Sequence, residues 1–140
     1  MAKTAGMFVE LAQSRHPEPA QSMVDHISEQ PLADVQNVVA YLSGGHYLIE
    51  MMDIQNDVLD ATREQIINGS SILTDGEWLW REDYAYYVEH HNVRVPDDLL
   101  TTIRHRNYIV PPVPEPVMVN LAPEAEELAF GRTLPGPPAA

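Results

Sequence analysis

Six histidines, His16, His26, His46, His90, His91 and His105, are the residues of this 140-residue chain best suited to hold a metal or move a proton. Their spacing argues against a metal. His90 and His91 are neighbours, and adjacent side chains on a helix diverge by about 100°, so the two cannot easily face one ion. His91 and His105 could meet only if the helices carrying them pack together. No His-x3-His or His-Glu-x-x-His pattern occurs. No metal and no other cofactor is expected. The one enzymatic reading left is acid–base chemistry by His90, His91 or His105 with nearby acids.

Carboxylates are abundant, at 21 Asp and Glu. The pairs Glu82-Asp83 and Asp97-Asp98 fall at expected helix starts, where capping and the helix dipole explain them better than acid–base catalysis does. Gly44-Gly45 lacks the following lysine and the spacing of a phosphate loop. No Gly-x-Ser-x-Gly elbow presents a nucleophilic serine. The chain has no cysteine, which excludes disulfides, thiolate zinc sites and a cysteine nucleophile. Arg104-His105-Arg106 is the only basic cluster, and a helix C-terminus accounts for it. The expectation is a protein that is not an enzyme.

Aromatic residues offer another kind of chemistry. Trp78, Trp80, Tyr84, Tyr86 and Tyr87 crowd into one short stretch. Most are expected in the core, but Tyr86 lies off the stripe of Tyr84, Tyr87 and Val88. An exposed aromatic ringed by Glu77, Glu82, Asp83 and Glu89 would suit a protein interface, as an anchor with an acidic rim.

Periodicity and punctuation suggest the elements that must position these groups. Met7, Phe8 and Leu11 predict a helix over 6–15, ended by His16-Pro17. A second helix is expected from Glu18 to about Glu29, with Met23, Val24 and Ile27 inward. A third is expected from Leu32 to Leu42, stopped by Gly44-Gly45. His46–Met52 reads as a strand or buried apolar segment. Residues 53–64 read as a solvated acidic loop or short helix, and Asn68-Gly69 as a turn. Asp75-Gly76, between Ile72-Leu73-Thr74 and Trp78-Leu79-Trp80, is a β-hairpin signal. Trp78 and Trp80 then share one strand face and Leu79 takes the other. Helices follow over Glu82–His91 and from Pro96 to about Arg106. From 111 onward prolines dominate, predicting extended, polyproline-like chain with at most a helical turn or two over 123–130. The fold class expected is α+β: N-terminal helices, a small antiparallel sheet, two C-terminal helices and a Pro-rich tail, with 1–110 as one domain and 111–140 as the tail.

The formal charge is −13 and is spread along the chain. Residues 1–70 carry net −7 and residues 71–140 net −6. Such a body repels nucleic acids and anionic membranes and attracts basic proteins. No stretch approaches the roughly 18 apolar residues of a membrane span. The N-terminal residues lack the pattern of a signal peptide, so a cytoplasmic location is expected.

The string Ser71-Ile72-Leu73-Thr74-Asp75-Gly76-Glu77-Trp78-Leu79-Trp80, continued by Asp83-Tyr84-Ala85-Tyr86-Tyr87-Val88 and by the step Val93-Arg94-Val95-Pro96, resembles a motif of small acidic bacterial proteins. These in turn resemble immunity proteins of polymorphic toxin systems. The resemblance spans Tyr47 to Tyr108. It implies a non-catalytic protein that binds and neutralises a cognate toxin with a basic surface. The contact residues expected are Asp53, Asp57, Glu77, Glu82, Asp83, Tyr86 and Glu89. The alternative is an adaptor or chaperone for a secreted effector.

Overall fold

The structure is a computed structural model that describes residues 2–11, 21–63 and 65–131. Its centre is a four-stranded sheet. β1 (Lys3–Ala5) runs parallel to β6 (Trp78–Arg81), with Lys3 opposite Trp78 and Ala5 opposite Trp80. β6 pairs antiparallel with β5 (Ile72–Thr74) across the segment 75–77. β5 pairs antiparallel with β2 (His46–Ile49), which has an irregularity between Tyr47 and Ile49. The sheet is therefore mixed, where an antiparallel one was expected, because the N-terminal segment docks as a parallel edge strand.

Both sheet faces are covered. Period-2 alternation sends Leu73, Trp78 and Trp80 into the larger core. That side is closed by α1 (Val35–Ser43), α2 (Asp83–His91) and α3 (Asp97–His105), which bring Val38, Leu42, Tyr87, Val88, Leu99 and Ile103. Ile72 and Leu79 point to the other side, where Met7 and α4 (Glu115–Phe130) meet them through Ala125, Leu128 and Ala129. Both tryptophans are buried. Trp80 Nε1 donates to the Leu42 carbonyl at 3.0 Å, seating the ring on the end of α1. Gly45 makes room for it, since a Cβ there would stand 2.7 Å from Trp80 Cζ2.

Several expected elements differ. No helix forms over 6–11, and 12–20 lie outside the described residues. Gly6 turns the chain at φ +72°, with its Cα against the Tyr84 ring, so β1 gives way to a tight turn instead of a helix. Met7, Phe8 and Leu11 are buried all the same. The second helix shrinks to one 3-10 turn, Met23–His26, with Val24 and Ile27 exposed. There the backbone leaves helical geometry to run beside 92–94, Ser28 N–H bonding to Asn92 O and Arg94 N–H to His26 O.

The largest correction concerns 111–131. Residues 111–114 are irregular, but 115–130 form the longest helix described. Pro116 sits in its first turn, where no intrahelical N–H is required. Pro123 lies inside and forfeits one backbone bond, at a typical cost of ~3 kcal/mol. Burial of Ala125, Leu128 and Ala129 against the sheet offsets that loss. Gly131, at φ +74°, ends the helix. Three helices therefore follow the sheet, not two.

Candidate functional site

Between β2 and β5 the chain leaves the sheet as an arm. Its scaffold is a two-stranded ladder, β3 (Ile54–Gln55) against β4 (Ile66–Ile67). Ile54 pairs with Ile67 and Gln55 with Ile66. Partners across an antiparallel ladder share a face. Ile66 faces inward and is buried, so Ile54 and Ile67 face outward together, 57% and 62% exposed. Met52, two residues before Ile54, is 94% exposed. At the base of the arm Asn68 adopts a left-handed turn at φ 58° and donates its N–H to Asp53 O at 2.7 Å. Gly69 passes so close to Gln55 that a Cβ would stand 2.9 Å from Gln55 Cγ.

A latch ties the arm to α2. Asp57 is buried, and four donors converge on its carboxylate. Oδ1 accepts the N–H groups of Leu59 at 2.8 Å and Asp60 at 3.0 Å. Oδ2 accepts Tyr86 Oη–H at 2.7 Å and His91 Nε2 at 2.5 Å. Burial disfavours the charge, yet these bonds outweigh it and hold the Asp57 pKa below the usual carboxylate range. Tyr86 is pushed up to about 12 by burial and by its bond to Asp57. Tyr87 Oη accepts Val58 N–H at 3.0 Å and adds a second tie. The His90 ring packs tilted against Tyr86, with centroids 4.5 Å apart, and reaches Glu89 at 3.1 Å. The carboxylate thus has its roughly four acceptor positions filled, and it ties the 57–60 loop to Tyr86 and His91 of α2.

The residues expected at the contact surface are scattered by the fold. Glu77 alone among them is exposed, and it pairs with Lys3 at 3.4 Å and Arg106 at 3.8 Å. Asp57 and Tyr86 face each other inside the latch. Asp53 is half-buried, accepting Gln55 Nε2 at 2.8 Å and the Ser70 hydroxyl. Glu82 is half-buried and accepts Tyr47 Oη–H at 2.5 Å; that bond and burial push Tyr47 up to about 12. Asp83 is fully buried against Arg81, 2.8 Å from Nη2, so it is corrected from contact residue to interior residue. Burial pushes the Asp83 pKa up to about 6, against the pull of Arg81. Glu89 is half-buried on the outer side of α2. Of the acidic ring expected around an aromatic anchor, Asp83 is interior, Glu82 is tied to Tyr47 and Glu77 faces Lys3 and Arg106, while Tyr86 itself is half-buried in the latch. Of the 53–64 segment, residues 53–63 form a loop with one short strand and are not wholly solvated, and Glu64 lies outside the described residues.

Sequence reasoning missed Met52, Ile54 and Ile67. Their only signal was the alternation of Met52 and Ile54 with Asp53 and Gln55, opposite another apolar residue before a turn. Among the described residues no group of three His, Asp or Glu side chains is placed to hold a metal ion. Among them, too, no helix is long and apolar enough to cross a membrane. No family model, no curated protein and no solved structure matches this chain.

Proposed function

We propose that this protein works by binding, as an immunity-type protein that neutralises a cognate toxin carrying a basic surface. The observation that carries the reading is how the charges are distributed. Among the described residues Lys3, Arg63, Arg81, Arg104 and Arg106 each stand beside a carboxylate. Most of the described cations are thus neutralised locally, while Arg94 donates to the Ser28 hydroxyl at 3.0 Å. Among the described residues Asp25, Glu29, Glu50, Asp97, Asp98 and Glu115 are exposed and stand beside no Lys or Arg. The outward field is acidic on several sides. Such a field speeds encounter with a basic protein and disfavours nucleic acid. The motif from Ser71 to Val88 points to the same class, and it builds the sheet and α2 that hold the arm in place.

The test is coexpression with a toxin-like domain encoded beside this chain. Rescue of growth, together with loss of the toxin's activity in a purified mixture, is the expected outcome. A chain that binds such a domain but leaves its activity intact would instead be an adaptor or chaperone. Affinity should fall as salt rises from about 0.1 to about 1 M, since the screening length shrinks from about 10 to about 3 Å.

A further inference from the structure

We infer that the outer face of the β3–β4 arm, formed by Met52, Ile54 and Ile67, is the docking face for an apolar side chain at the centre of a cationic protein surface. The inference rests on the binding function proposed above and names the place and the chemistry of its partner.

Three observations converge on this face. The first is exposure without a folding role. Ile66 and Gln55 supply the inward side of the ladder, so the outward side chains are not needed to attach the arm. Single exposed apolar residues are ordinary, but Ile54 and Ile67 are paired in register, and Met52, in the irregular segment just before the strand, is 94% exposed. The second is preorganisation. The Asp57 latch, the Tyr87 bond to Val58 and the Asn68 turn hold the loop on α2. A face ordered before binding loses less conformational freedom on binding. Met52, unbranched and flexible, can adapt to the incoming group.

The third observation selects the occupant. Asp57 is spent in the latch, but among the described residues of 50–63 Glu50 is exposed and Asp53 and Asp60 are half-buried, against a single cation, Arg63. Arg63 lies 3.7 Å from Asp60 and is already paired. A partner bringing Lys or Arg around an apolar knob gains attraction at the rim and burial at the centre. A second copy of this chain brings the same acidic segment and is repelled, as is an anionic membrane. The apolar face is smaller than the roughly 800 Å² that each side of a stable interface buries, so it supplies the centre of the contact and the flanking acids supply the rim.

The experiment uses the full chain and two synthetic peptides of equal charge. One repeats Lys-Lys-Leu-Leu and the other repeats Lys-Lys-Gly-Gly. Amide and methyl NMR shifts map where each binds. The Lys/Leu peptide should perturb Met52, Ile54 and Ile67 and bind at least about 10-fold tighter than the Lys/Gly peptide. Ile54→Thr combined with Ile67→Thr should remove that advantage while leaving the melting temperature unchanged. Val24→Thr with Val119→Thr, exposed sites elsewhere, should leave it intact. The inference is overturned if the Lys/Leu peptide maps elsewhere, or if the Thr pair at the arm binds it unchanged. It is also overturned if sedimentation shows a dimer that the same Thr pair dissolves, since the face would then serve self-association. If neither peptide binds at all, the acidic-surface reading of the function fails with it; binding that maps elsewhere sinks the arm alone.

Discussion

Asp57 and His91 stand 34 residues apart in sequence and 2.5 Å apart in space, and this bond closes the arm onto α2. Asp57→Asn keeps the shape but turns an acceptor into a donor facing other donors. Such a mismatch typically costs about 1–3 kcal/mol. The variant should unfold at lower urea concentration, and the amide protons of Leu59 and Asp60 should exchange faster than those in α3. Unchanged exchange at those two amides would show that the latch does not hold the arm.

Arg81 and Asp83 are both fully buried, so removing Arg81 takes the nearby cation away from the Asp83 carboxylate. Arg81→Met should destabilise the fold by ~3–5 kcal/mol, the usual result of breaking a buried pair. Arg81→Met with Asp83→Leu should cost less than Arg81→Met alone, because the buried Asp83 charge is removed with its cation. Denaturant midpoints of the two variants decide the matter.

The same aspartate gives a pH signature. Its folded pKa, about 6, lies above its ordinary value of 3.8. Between those values the folded state holds a proton that the unfolded chain has released, so Asp83's contribution to stability falls as pH rises. Asp83→Asn should therefore gain stability relative to wild type from about pH 4 to about pH 6, and the difference should be flat above that window. Asp57 and Asp34 act oppositely: hydrogen bonds from Arg104 and Tyr108 depress Asp34, as those of the latch depress Asp57. Their contributions are present above the ordinary carboxylate pKa and are lost as pH falls through their lowered values. Both proteins should therefore lose stability at strongly acid pH.

The C-terminal helix offers two substitutions of opposite sign. Leu128→Ala should cost about 2–5 kcal/mol, because its side chain fills the core beneath Ile72 and Leu79. Pro123→Ala should stabilise the protein by about 1–3 kcal/mol, since the restored N–H can bond to the Val119 carbonyl in an exposed stretch of helix. Thermal melts of both, run beside wild type, test whether α4 folds with the rest in one transition.

α2 and α3 were legible because acidic first turns, apolar stripes and a proline punctuate them in the sequence. α4 was not, since its proline content reads as extended chain and only the uncovered face of Ile72 and Leu79 supplies a reason to be helical. The N-terminal helix failed for the converse reason. Met7, Phe8 and Leu11 fit a helical stripe, but a turn buries them equally well once β1 pairs with β6. At the candidate site, residue type was readable and burial was not. Asp57 and Asp83 look like surface acids until their tertiary donors are known. The ladder of Ile54 and Ile67 depends on a pairing register between segments with no distinctive turn signal of their own.

The backbone N–H of Ala2 bonds to the Glu124 carboxylate, at 3.2 and 3.1 Å from its two oxygens, across 122 residues of chain. Beside it, β1 waits for β6 to be made before it can pair. The fold is thus closed by its most distant parts, which places it among topologies that assemble slowly. During synthesis the strands carrying Ile72 and Leu79 emerge well before the helix that shelters them. Through that interval the nascent chain presents an oily sheet surface to its surroundings, and its yield in a cell should depend on how well chaperones shield that surface.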